Sequence, residues 1–133
     1  MNTRYTTAGI FIKNGRVLVA KRINEGALSG KWEFPGGKNR QSESLSDTLI
    51  REFKEELDVQ IFSKEEIFTT EFDNKDTHYI LKAFLIDIPN PEFTLTVHTD
   101  FLYAGKKELK ELDFGKSDSK IASFLLENNF LED

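Results

Sequence analysis

Apolar and polar positions recur with two different periods along the chain, and the switch between them marks out its elements. Thr6–Ile12 and Arg16–Arg22 are short and apolar, and Asn14-Gly15 between them accepts the positive φ angles of a tight turn. The pair predicts an antiparallel hairpin. Trp32–Phe34 reads as a short strand that must stop at Pro35-Gly36-Gly37, where a fixed φ is followed by two residues without a Cβ. From Ser44 the period changes. Leu45, Leu49, Phe53 and Leu57 recur every four residues, and Ser44 with Asp47 is placed like a helix start, so an amphipathic helix is predicted over 44–57. Glu66–Phe72 and His78–Ile88 return to strand character around a polar turn at Asn74-Lys75-Asp76. Phe93–Val97 and Phe101–Ala104 are weaker strand segments. Ile121, Phe124 and Leu125 follow helical spacing after Ser117-Asp118-Ser119, residues that suit a helix cap. The sum is a mixed sheet with at least two helices.

Composition narrows the chemistry. At 133 residues, without repeat or linker, the chain is expected to form one domain over 1–133. A net charge of −5 opposes sequence-blind capture of nucleic acid. The absence of cysteine removes disulfides, zinc thiolates and a thiol nucleophile. No apolar run reaches the roughly 18 residues of a membrane span, so a cytoplasmic protein with no membrane partner is expected. A monomer is the default, with a homodimer open to any chain that exposes a strand edge. The 12 phenylalanines are read mainly as core, and His78 and His98 as strand-surface residues.

On the helix over 44–57, Glu52, Glu55 and Glu56 share an arc of about 100° beside the apolar stripe. Their mutual repulsion, near the negative end of the helix dipole, requires compensation. Arg51 and Lys54 can supply it as ordinary surface charges. A divalent cation can also supply it, since hard cations bind through one or two carboxylates together with substrate phosphates. Pro35-Gly36-Gly37-Lys38, just upstream, offers a backbone carbonyl for such a cation and a lysine for a phosphate.

Residues 37–59, GKNRQSESLSDTLIREFKEELDV, resemble the Nudix box, G-x5-E-x7-R-E-U-x-E-E-x-G-U, with U a bulky apolar residue. Gly37, Glu43, Arg51, Glu52, Phe53, Glu55, Glu56 and Val59 fall in register, and Asp58 replaces the second glycine. WEFPGGK at 32–38 and VLVAKR at 17–22 are similar to stretches of the MutT-like nucleoside triphosphate pyrophosphohydrolases. His98-Thr99-Asp100 with Tyr103, and KSDSKIASFL at 116–125, resemble later parts of the same family. Asn39-Arg40-Gln41-Ser42 departs from the pattern, lacking its acidic residue and Pro-Gly pair.

The resemblance implies an α/β (α+β) Nudix fold, a mixed sheet sandwiched between helices. It further implies hydrolysis of a nucleoside triphosphate to nucleoside monophosphate and pyrophosphate, with Mg²⁺, or Mn²⁺ as a substitute. An oxidised purine such as 8-oxo-dGTP and a pyrimidine such as CTP or dCTP both suit it. ADP-ribose, nucleotide sugars or dinucleoside polyphosphates are the alternative substrates, and a non-catalytic nucleotide-binding module is the third reading. Residue by residue, Glu52, Glu55 and Glu56 would hold the metal with the Gly37 carbonyl. Glu52 or the later Asp100 would serve as base, and Arg51 would fix a box glutamate. Glu43 would be structural, Arg22 and Lys38 would meet phosphate, Phe34 would stack on the base and Asp118 would read the base edge.

Overall fold

The computed structural model describes residues 2–23 and 30–133. In chain order its strands are β1 (Asn2–Ile10), β2 (Ile12–Lys13), β3 (Arg16–Arg22), β4 (Trp32–Glu33), β5 (Phe62–Asn74), β6 (Thr77–Asp87) and β7 (His98–Ala104). The helices are α1 (Leu45–Leu57), α2 (Lys106–Glu111) and α3 (Lys116–Glu127). One sheet has the order β1-β6-β5, with β1 parallel and β5 antiparallel to β6. In the other, β3 is central, pairing antiparallel with β7 along one edge and with β2 and β4 along the opposite edge.

The first hairpin forms only at its tip. Asn14 and Gly15 take the positive φ angles expected of them, 53° and 76°. Only Ile12 and Lys13 pair across the turn, however, because the chain leaves β3 at Phe11 and β1 joins the other sheet beside β6. Beside β6, Ala8 and Ile10 of β1 enter one core, and Phe11, the residue after the strand, enters the other. The second hairpin matches its expected turn, with Lys75 at φ 56°.

Two apolar layers flank the sheets. On one side Leu49, Phe53 and Leu57 of α1 pack with Leu18, Val59, Ile61, Ile86 and Ile88. On the other, Leu109 of α2 and Ile121 and Leu125 of α3 cover Val17, Val19, Leu81 and Ala83. Burying each such side chain contributes about 1.5–3 kcal/mol. Gly9 permits the close seating of α1, since a Cβ there would come within 2.5 Å of the Phe53 ring.

The ends of α1 position the site. Ser44 Oγ accepts from the Asp47 N–H at 3.0 Å. Asp58 closes the helix in the left-handed region (φ 54°), stepping in for the usual glycine, with its N–H on the Lys54 carbonyl. The segment 93–97 forms no strand. Its Thr94 and Thr96 N–H groups instead donate to the Leu57 and Glu56 carbonyls, and Thr96 Oγ1 donates to Glu55, satisfying helix carbonyls that otherwise lack partners. No helix among the described residues is long and apolar enough to cross a membrane.

Candidate active site

The glycine turn is wedged between β1 and α1. The Pro35 and Gly37 carbonyls accept from the Gly9 and Thr7 N–H groups, as a strand edge would. A Cβ at Gly36 would meet the Thr7 carbonyl oxygen at 2.1 Å, and one at Gly37 would meet the Glu52 carboxyl carbon at 2.4 Å. Gly36, facing backbone, therefore requires glycine, whereas a side chain at Gly37 would displace the flexible end of Glu52. Gly37 O also accepts from Thr7 Oγ1 at 3.0 Å, so its two lone pairs are committed within the sheet. The Gly37 carbonyl, expected as a metal ligand, is thus turned toward β1.

Arg51 organises the acidic face. Its Nε and a terminal nitrogen clasp the two Glu43 oxygens at 2.6 and 3.0 Å. Its remaining contacts reach Glu52 Oε1 at 2.9 Å, Glu55 Oε1 at 3.0 Å and the Lys38 carbonyl at 3.1 Å. The bidentate guanidinium bond holds the Glu43 carboxyl down to about 2, against an ordinary 4.5. Glu43 is thus bound up in supporting the helix, also accepting from Thr48 Oγ1 and the Arg40 N–H.

Glu56, one turn beyond Glu52, faces the sheet. Its Oε1 is buried without a hydrogen-bond partner. Burial first, then the neighbouring carboxylates of Glu52 and Glu33, push its carboxyl up to about 9. Across from it, His98 Nε2 lies 2.8 Å from Glu33 Oε2 and 4.0 Å from Glu56 Oε1. Arg22 reaches Glu33 Oε1 at 3.5 Å, and its charge also acts on Glu56 and Asp118. His98 is buried, contrary to its reading as a surface residue.

Asp100 does not join this group. The register shifts between Lys21 and Arg22, so that His98 pairs with Arg22 while Asp100 pairs with Lys21, and the two side chains point to opposite faces. Asp100 is exposed and bonds the adjacent Phe101 N–H. Glu33, within WEFPGGK, is a site residue that the sequence motifs do not single out. Its signal is alternation: on this strand it faces away from Trp32 and Phe34.

Asp118 sits in the first turn of α3, whose N-cap is Gly115. Its Oδ1 accepts the Phe34 N–H at 3.0 Å, and burial pushes the carboxyl up to about 7. Phe34 itself is 3% exposed, its ring stacked on Phe114 at 5.3 Å, so it forms a packed floor beneath Asp118 and no open stacking platform. Lys38 also departs from expectation, its Nζ lying 5.3 Å over the Tyr79 ring.

Acidic side chains gather here around a buried carboxylate oxygen without a partner. The NUDIX domain model matches residues 3–114. The chain belongs to the NUDIX family. The chain is 32% identical over 83 residues to an 8-oxo-dGTP diphosphatase of Proteus vulgaris, covering 62% of this chain and 74% of that protein. It is 40% identical over 53 residues to a CTP pyrophosphohydrolase of Escherichia coli, covering 40% of this chain and only 39% of the relative. The solution structure of the E. coli ORF135 protein superimposes with a TM-score of 0.78 at 25% identity, covering 92% of this chain and 88% of that one. The mixed α+β architecture is that of its NUDIX neighbours.

Proposed function

We propose that this Nudix hydrolase converts a nucleoside triphosphate and water to a nucleoside monophosphate and pyrophosphate, using Mg²⁺, with Mn²⁺ as a substitute. The reading rests above all on Glu56, a buried carboxylate with one oxygen unpartnered, one turn from Glu52, whose carboxyl lies against Gly37. Glu52, Glu55 and Glu56 are the residues that would hold the metal. A divalent ion at such a site neutralises phosphate charge and acidifies a bound water.

The chain's own groups supply the positioning. Arg51 fixes the rotamers of Glu52 and Glu55, so their oxygens need little reorganisation when substrate arrives. Arg22, lying between the Glu33 carboxylate and the face of α1, offers a guanidinium to a phosphate oxygen. Glu52 orients the attacking water and takes its proton. Asp118 reads the base edge. With a carboxyl poised at about 7, it can present either a donor or an acceptor, which suits an amide or amidine edge of a purine or pyrimidine. The two named relatives, one for an oxidised purine and one for CTP, motivate both substrate classes.

The test is a panel of 8-oxo-dGTP, dGTP, CTP, dCTP and ADP-ribose, each with and without Mg²⁺, read by product chromatography. Metal-dependent formation of monophosphate and pyrophosphate from at least one triphosphate is expected. Faster cleavage of ADP-ribose than of any triphosphate would overturn the substrate assignment.

A further inference from the structure

We infer that Thr7 is a positioning residue for the hydrolysis: its hydroxyl locks both backbone groups of Gly37 and so fixes the shelf on which the Glu52 carboxylate rests. The inference rests on the reading of Glu52 as the residue that orients the attacking water, and deepens it by naming what holds that carboxylate from the side of the sheet.

The segment 35–39 runs antiparallel along the edge of β1 that β6 leaves open, with Thr6 opposite Lys38. The Asn39, Thr7 and Gly9 N–H groups donate in turn to the Tyr5, Gly37 and Pro35 carbonyls at 2.8–2.9 Å. A regular ladder would add a bond from the Gly37 N–H to the Thr7 carbonyl. That bond is not made, and Gly36 instead comes so near that a Cβ there would meet the Thr7 carbonyl oxygen at 2.1 Å. The Gly37 N–H turns to Thr7 Oγ1 at 3.3 Å, and the same hydroxyl donates to Gly37 O at 3.0 Å. A hydroxyl both donates and accepts, so Thr or Ser can hold the two groups at once and an apolar side chain can hold neither. Thr7 is buried, and without its hydroxyl the Gly37 N–H loses its partner within the protein.

What rests on Gly37 ties this lock to the reaction. Its Cα faces the Glu52 carboxyl, where a Cβ would lie 2.5 and 2.8 Å from the two oxygens. Arg51 holds Glu52 Oε1 at 2.9 Å. The carboxylate is therefore fixed by a guanidinium and by contact with a glycine that three hydrogen bonds tie to Thr7, two of them through Oγ1. A displacement of about 1 Å at a reacting group can cost on the order of 10²-fold in rate. Thr7 acts through Gly37 and not on the reacting atoms.

The test pairs kinetics with amide exchange on the full chain. Thr7→Val keeps the shape and removes the hydroxyl, whereas Thr7→Ser keeps the hydroxyl and removes a methyl. With the preferred triphosphate and saturating Mg²⁺, Thr7→Val should lower kcat about tenfold or more while KM stays within about twofold, and Thr7→Ser should keep most of the wild-type kcat. Selective ¹⁵N-glycine labelling reduces the amide spectrum to the 8 glycines. The Gly37 amide should be protected from hydrogen exchange in wild type and Thr7→Ser, and lose about tenfold or more of that protection in Thr7→Val. A wild-type Gly37 amide that exchanges as fast as an open loop would overturn the inference, whether or not Thr7→Val folds. An unchanged kcat in folded Thr7→Val, an effect on KM alone, or an equal loss of kcat in both variants would overturn it as well. Wild-type protein that releases pyrophosphate from no triphosphate would overturn the hydrolase reading and the inference with it.

Discussion

The two walls of the site are built on opposite principles. On the turn side, Arg51 pairs Glu43, Glu52 and Glu55 at 2.6–3.0 Å, and the Lys38 carbonyl takes a further guanidinium proton. On the sheet side, Glu56 Oε1 and His98 Nδ1 are buried without partners, and the Glu56 and Asp118 carboxyls are both driven toward their neutral forms. The first wall is satisfied internally and holds shape. The second lacks partners that a ligand can supply, and that unmet demand is its readiness to bind.

Substitutions should separate the walls. Glu56→Gln should lower kcat roughly 10³-fold or more, about 4 kcal/mol, in Mg²⁺ assays. The same variant should melt at or above the wild-type temperature, since it replaces a carboxyl disfavoured by burial with a neutral isostere. Arg51→Ala should do the reverse to stability. It leaves three carboxylates unpaired and is expected to cost about 2 kcal/mol after solvent screening, measurable by urea denaturation.

Acid titration sharpens the contrast at Glu43. Its folded-state value of about 2 lies below the ordinary 4.5, so its contribution is complete above about 4.5 and is lost as pH falls toward 2. The melting-temperature gap between wild type and Glu43→Gln should therefore be widest near neutrality and narrow through that window. The smallest effect is at the helix end. Asp58→Gly relieves a left-handed non-glycine residue but removes a 2.7 Å surface pair with Lys54, for a net gain of about 0.5–1 kcal/mol in thermal melting.

These contrasts follow how the molecule could be read from its residues. α1 was fully legible because its period, its Ser44 cap and its acidic arc are local properties of consecutive residues. The Asn14-Gly15 turn was legible too, yet the partner of β1 was not: it is β6, about 75 residues away, and no local signal encodes a parallel pairing. Phe93–Val97 has strand-like composition but is recruited to cap the carbonyls of α1, a tertiary demand that overrides propensity. The satisfied wall lies largely within one stretch of sequence. The ligand-seeking wall is assembled from β4, α1, β7 and α3, and a register shift at Arg22 decides that His98, not Asp100, enters it.

Phosphorus NMR of the preferred triphosphate, incubated with Mg²⁺ and then with a chelator, tests the central claim most directly. The account predicts pyrophosphate and nucleoside monophosphate in equal amounts, formed only while the metal is available. Orthophosphate as the first product, or turnover that continues in chelator, would contradict it.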